Sequence, residues 1–154
     1  DNALEMVSIN PGGVFGPPLG TDITGQSMNM LDQMLRGKMP MVPNAAFPMV
    51  DVRDVALDAA GKRMIAASAK PQGFAGIAQM LKDEGYKGPS ARIAPNFMLR
   101  LMALFDREAK GMLGFLDMNI HADNSQTRTV FNWTPRSLRE SVLDSARAVK
   151  AISS

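Results

Sequence analysis

Apolar and polar positions divide the chain into short extended runs and amphipathic helices. Leu4-Glu5-Met6-Val7-Ser8-Ile9 is a nearly continuous apolar run with β-branched residues, the pattern of a strand buried on both faces in a parallel sheet. Asn10-Pro11-Gly12-Gly13-Val14-Phe15-Gly16-Pro17-Pro18 follows, and there proline removes a ladder donor while glycine opens the backbone. A strand with a glycine-rich end brings bare backbone to the carboxyl edge of a sheet, where open α/β folds bind ligands.

Thr24 or Ser27 can cap a helix running to about Arg36, with Gly37 as its stop and Met28, Leu31, Met34 and Leu35 on one face. Phe47 to Val52 reads as a short strand. Asp51 then caps a helix beginning near Val52, and Asp54 adds a second negative charge in its first turn, where the helix dipole favours it. Arg63 to Ala67 reads as a buried strand beside Met6–Ile9 in one parallel sheet. Phe74, Ile77, Ala78 and Leu81 stripe a helix that stops near Gly85. Pro95 suits the first position of a helix whose residues, Asn96 to Phe105, are apolar nearly all round and call for cover on several sides.

Gly111 to Met118 is flexible and apolar, a candidate wall over a pocket. Asp123 or Ser125 starts a short helix through Val130, and Asn132 suits the left-handed position that ends it. Thr134 as cap and Pro135 as first residue open the last helix, whose stripe is Leu138, Val142, Ala146 and Val149. The segments 96–118 and 136–150 thus contribute helices to an α/β fold.

Composition narrows the chemistry. The chain has 154 residues, enough for one core, and a formal net charge of +2, with no basic tract to suit nucleic acid or an anionic membrane surface. No apolar run reaches the ~20 residues that a bilayer span needs. There are no cysteines, which removes disulfides, thiolate metal sites and cysteine nucleophiles and fits a reducing, cytoplasmic setting. His121 is the only histidine and has no second metal-type ligand at suitable spacing. No hydrolytic triad, metal cluster or phosphate-binding P-loop is present.

Asn10-Pro11-Gly12-Gly13-Val14-Phe15-Gly16-Pro17, Val50-Asp51-Val52-Arg53-Asp54-Val55-Ala56, the stretch Arg92 to Asp106 and Trp133-Thr134-Pro135-Arg136 occur in this order. Together they resemble the C-terminal half of an extended short-chain dehydrogenase/reductase of the dihydroflavonol-reductase type, in the NAD-dependent epimerase/dehydratase superfamily. The resemblance covers essentially the whole chain. It implies that residues 1–20 form a late Rossmann strand and cofactor-side loop. Residues 21–154 would then be mostly substrate-binding region, with strands returning to the sheet.

The resemblance also implies NADP or NAD as cofactor, NADP being favoured. Pro11 would pack beside the nicotinamide, backbone groups of Gly12 to Val14 would meet its carboxamide, and Thr24, Gln26 or Ser27 would offer a polar group nearby, Ser27 being assigned here. Phe15, Leu19, Met28, Phe97 and Met112 are the candidate substrate-pocket residues, chosen by position and apolar character. The implied reaction is reduction of a ketone or aldehyde of a small apolar or aromatic substrate. An epimerase, dehydratase or hydroxysteroid dehydrogenase of the same superfamily, or a non-catalytic cofactor-sensing or binding protein, is the alternative.

Two departures accompany the resemblance. The family's glycine-rich fingerprint and Tyr-x-x-x-Lys pair are absent: Tyr86 is the only tyrosine, and Gly12-Gly13-Val14-Phe15-Gly16 follows a late strand with the wrong glycine spacing. No catalytic residue is therefore assigned here, and the partner expected is the family's N-terminal half, without which the chain should be inactive. Only Leu57 to Gly61 separate the Val-Asp-Val-Arg-Asp-Val-Ala motif from the next strand, a shorter link than the family uses.

Overall fold

The computed structural model describes residues 8–18, 20–55, 63–105, 110 and 113–153. Its centre is one extended run in two lengths, β1 (Ser8–Pro11) and β2 (Gly13–Phe15), with Gly12 between them. Later strands are β3 (Ala46–Phe47), β4 (Met49–Asp51), β5 (Arg63–Ala66) and β6 (Gln72–Gly73). β1 lies parallel to β5, with Ser8 opposite Arg63 and Pro11 opposite Ala66, whereas β2 lies parallel to β4, with Gly13 opposite Met49. β3 and β6 form a small antiparallel pair.

The run changes partner at Gly12. Successive amides of an extended chain point to opposite edges, and here the Gly12 N–H donates to Ala66 O at 3.1 Å while the Gly13 N–H donates to Pro48 O at 2.9 Å. Pro11 therefore does not stop the strand as expected. Its missing N–H falls on the edge away from β5, where β1 has no ladder partner among the described residues. The expected burial on both faces is also corrected for the described part: Ser8, Asn10 and Pro11 are exposed and only Ile9 is half-buried. The more apolar start of that run, Leu4 to Val7, lies outside the described residues.

Side-chain alternation builds a core on each face of β2 and β4. Phe15 and Met49 join Leu31 and Met34 of α1 (Gln26–Leu35), Ile77 and Leu81 of α2 (Phe74–Asp83) and Val142, Ala146 and Val149 of the last helix. On the other face Val50 joins Met64, Ala66 and Trp133, with Val14 packed against them.

Two caps differ from expectation. α1 begins after Gly25 with no side-chain cap, because the Asp22 carboxylate instead accepts from the Thr24 N–H (2.8 Å) and hydroxyl (2.6 Å) in the preceding turn. Gly37 does end that helix, in the left-handed region at φ +69°. The last helix begins at Leu138 with Ser137 as cap, accepting from the Glu140 N–H at 3.2 Å; Thr134 and Pro135 precede it. The reason is tertiary: the Arg136 N–H is taken by Asp54 Oδ2 at 2.6 Å, so helical pairing starts after it.

The short α3 (Asn96–Met102) buries Leu99, yet Phe97 is 73% and Phe105, just beyond it, 88% exposed, so the cover expected for this apolar segment is not provided by the described residues. α4 (Ser125–Phe131) ends as expected on Asn132 in the left-handed region (φ 48°, ψ 38°). With α5 (Leu138–Ile152) as the last, no described helix is long and apolar enough to cross a membrane.

Candidate functional site

The carboxyl ends of β1 and β5 open into a cleft of about 800 Å³. Pro11, Gly12 and Gly13 line it where the central run changes partner, beside Asn10, Ile65 and Ala67. Met49 and Phe15 form its floor, both continuous with the main core. Phe47 and Phe74 meet edge to face at a centroid distance of 5.9 Å and supply an aromatic part of the lining. α1 contributes Gln26, Ser27, Asn29, Met30 and Gln33. Among the described lining residues there is no Asp, Glu, Lys, Arg or His.

The residues singled out in the sequence separate into those brought together and those not. Pro11, Gly12, Gly13, Ser27 and Phe15 line this one cleft. Val14 does not; its side chain packs with Val50, Met64, Ala66 and Trp133 on the far face of the strand. Met28 is half-buried against the main core and is not among the lining residues, whereas Met30, packed on the same core, also lines the cleft. Phe97 is exposed on α3 and is not among the lining residues. Leu19 and Met112 lie outside the described residues.

Of the backbone groups of Gly12 to Val14, the Gly12 and Gly13 N–H groups are donated to Ala66 O and Pro48 O. What compels glycine at position 12 is the protein itself: a Cβ there would stand 2.3 Å from Pro48 O. At Gly13 a Cβ would make only an ordinary 3.5 Å contact with Met49 Cγ. Ser27, Gln26 and Pro11 all line the cleft.

The sequence motifs are tied to one another by hydrogen bonds and ion pairs. Asp51 caps the 3-10 turn Val52–Asp54 by accepting from the Arg53 N–H at 2.8 Å, as its sequence position suggests. Its carboxylate is buried and paired with Arg53 (2.7 Å), which also reaches Asp144 on α5 (2.9 Å). Hydrogen bonds from Arg53 hold the Asp51 carboxyl well below the usual carboxylate range, outweighing the upward push of burial. Asp54 binds the Arg136 side chain, and its carbonyl accepts from Trp133 Nε1 at 3.0 Å. Gly16 donates its N–H to Ser145 Oγ at 2.7 Å. Tyr86 is remote from the cleft, packed on the main core with Lys150 Nζ 5.8 Å from its ring centroid.

Asn29, Met30, Gln33, Met39, Phe47 and Phe74 were missed as lining residues. For α1 the signal was present: positions 26, 29, 30 and 33 form a second stripe at helical spacing beside the apolar one. For Phe47 and Phe74 no local signal exists, because each reads equally as core.

No family model matches the chain. A curated protein of Saccharomyces cerevisiae described as an uncharacterized oxidoreductase is 28% identical over 160 residues, covering 95% of this chain and 43% of that protein. Among solved structures, the yeast methylglyoxal/isovaleraldehyde reductase Gre2 complexed with NADPH matches at TM-score 0.65 and 18% identity, over 97% of this chain and 48% of that one. UDP-glucose 4-epimerase of Thermotoga maritima with UDP-glucose matches at TM-score 0.68 and 17% identity, over 98% and 48%. The chain spans about half the length of each. Over about half of their length, the yeast reductase and the Thermotoga maritima epimerase thus share the α/β fold of this chain.

Proposed function

We propose that this chain is the substrate side and nicotinamide-side wall of an NAD(P)H-dependent reductase acting on a ketone or aldehyde of a small apolar or aromatic substrate. The observation that carries this reading is the lining of the cleft, which has rings, thioethers, carboxamides and one hydroxyl but no charged side chain among the described residues. A nucleotide sugar carries a diphosphate, which proteins meet with Arg or Lys. An uncharged substrate needs neither, and the Met30, Met39 and Met49 thioethers adapt to an apolar body of irregular shape.

A bound dihydronicotinamide would supply the hydride that reduces the carbonyl carbon. In this chain Pro11 would flank its ring and Ser27 or Gln26 would hydrogen-bond its carboxamide, while the aromatic part of the lining dries the reacting centre. The acid–base tyrosine and lysine would come from sequence outside this chain, and NADP is favoured by the family resemblance.

The test is an assay of the full-length protein carrying this chain, following consumption of NADPH and NADH with aromatic and branched ketones and aldehydes, and epimerisation of UDP-sugars in parallel. Carbonyl reduction without sugar-nucleotide turnover is the expected outcome. Epimerisation without carbonyl reduction, or robust reduction by the 154-residue chain alone, would overturn the reading.

A further inference from the structure

We infer that Asn124 and Thr127, at the start of α4, are positioning residues for the reaction: their side chains stand in for a neighbouring strand on the open edge of β5 and hold the cleft wall formed by Ile65 and Ala67. The inference rests on the reductase reading above. It adds two residues that are not themselves among the lining residues.

β5 gives one edge to β1, where Ala66 O accepts from the Gly12 N–H. Its other edge has no strand partner among the described residues. There the Ile65 N–H donates to Thr127 Oγ1 at 3.2 Å, and Asn124 Nδ2 donates to Ala67 O at 2.6 Å. Both α4 side chains are buried. Asparagine at this position commonly caps its own helix, yet Asn124 makes no side-chain capping bond and its carboxamide is committed to β5 instead.

These two bonds reach the reacting centre through the strand. Ile65 and Ala67 are two residues apart on one extended run, so their side chains share a face, and both line the cleft. Ala67 also abuts the glycine where the central run changes partner: a Cβ at Gly12 would stand 3.2 Å from Ala67 Cβ. Ile120 and Ala122, just ahead of Asn124, line the same cleft, so one latch holds both the strand and the segment that leads into α4. A strand fastened along one edge only is free to shift, and a misplacement of about 1 Å at a reacting centre costs on the order of a hundredfold in rate.

The experiment compares Thr127→Val, which keeps the shape and removes the acceptor, with Thr127→Ser, which keeps the acceptor. Both are made in the full-length protein and assayed with NADPH, phenyl methyl ketone and benzaldehyde, well below the unfolding temperature of each. Thr127→Val should lower kcat by about tenfold or more and leave the KM for NADPH within about twofold of wild type, whereas Thr127→Ser should retain the wild-type kcat. Amide hydrogen exchange at Ile65 should quicken by about tenfold in Thr127→Val and stay unchanged in Thr127→Ser. A Val variant with wild-type kcat, or a Ser variant that loses as much as Val, overturns the inference. Should Thr127→Val not fold, Thr127→Ala, which also lacks the acceptor, takes its place with the same expectations. Should wild type reduce neither carbonyl compound, it is the reductase reading that falls, and binding decides the latch. Phenyl methyl ketone should then shift the Ile65 amide resonance of wild type and bind the acceptor-less variant about threefold or more weakly; no shift, or equal affinity, overturns the inference.

Discussion

Gly16 and Ser145 are 129 residues apart in sequence, yet the Gly16 N–H donates to Ser145 Oγ at 2.7 Å in a buried setting. Ser145 in turn donates to Ser141 O, also at 2.7 Å. Gly16 sits at φ +130°, and a Cβ there would stand 2.6 Å from Val52 Cγ1, so the turn out of β2 admits no larger residue. One hydroxyl on α5 thus anchors the point where the chain leaves the central run for the cleft's α1 wall. Ser145→Ala leaves a buried N–H without its acceptor and should cost about 1–3 kcal/mol. Urea unfolding measures it, and a loss indistinguishable from zero would remove the anchor from the account.

Gly12 and Gly13 should part company under substitution. A methyl at position 12 meets Pro48 O at 2.3 Å, whereas at position 13 it meets only Met49 Cγ at 3.5 Å. Gly12→Ala should destabilise by about 1–3 kcal/mol or more through forced backbone displacement. Gly13→Ala should be tolerated in the fold and act, in the full-length protein, on cofactor affinity. Thermal unfolding and an NADPH titration of both variants decide it; equal stability would contradict the partner switch at Gly12.

Neighbouring methionines on α1 should separate core from cleft. Met28 and Met30 both pack on the main core, and of the two only Met30 also lines the cleft. Met28→Ala should cost stability, about 2 kcal/mol or less for a half-buried side chain, and leave the substrate profile unchanged. Met30→Ala should cost a similar amount of stability and, in addition, alter relative kcat/KM among ketones. The opposite assignment of effects would place the α1 stripes the wrong way round.

Asp51 gives the fold an acid limb. Its pKa in the folded protein lies below the ordinary value of 3.8, chiefly through Arg53, so the unfolded chain takes up a proton first as pH falls. Its stabilising contribution is fully present above the unfolded pKa and is lost progressively below about pH 4, through the depressed folded value. Asp51→Asn should be less stable at pH 7 and lose less on acidification than wild type. Urea midpoints for both proteins across that range provide the check; parallel curves would mean that Asp51 does not set the acid limb.

Trp133 is the only tryptophan and is 6% exposed, with its Nε1–H on the Asp54 carbonyl. Its fluorescence should be blue-shifted in the folded protein and move to the red on unfolding. Asp54→Ala removes the carboxylate that holds Arg136 and should weaken the packing beneath Trp133 by about 1–2 kcal/mol. A red-shifted native spectrum in the wild type would contradict the second core.

Much of the local structure was legible because its causes are local. Asp51 before Val52, Asn132 after α4, Gly37 after α1 and the Ile77, Ala78 and Leu81 stripe each act through residues within a turn or two of themselves. The sequence also placed Arg63 to Ala67 parallel to the run ending at Ile9, and β1 does pair with β5 in that sense. The start of α5 was misread because a competing partner, Asp54, lies 82 residues from Arg136.

By itself the sequence determined where extended and helical segments lie, which residue types punctuate them, and that a proline- and glycine-rich run borders the ligand edge of an α/β sheet. Tertiary structure alone decided that Gly12 answers to the Pro48 carbonyl, that Met30 rather than Met28 faces the cleft, and that no described lining residue is charged. The physical reason is distance along the chain. Propensity and periodicity act between near neighbours, whereas a 2.3 Å backbone approach or a cleft built from β1, β5, α1 and α2 exists only once remote segments have packed.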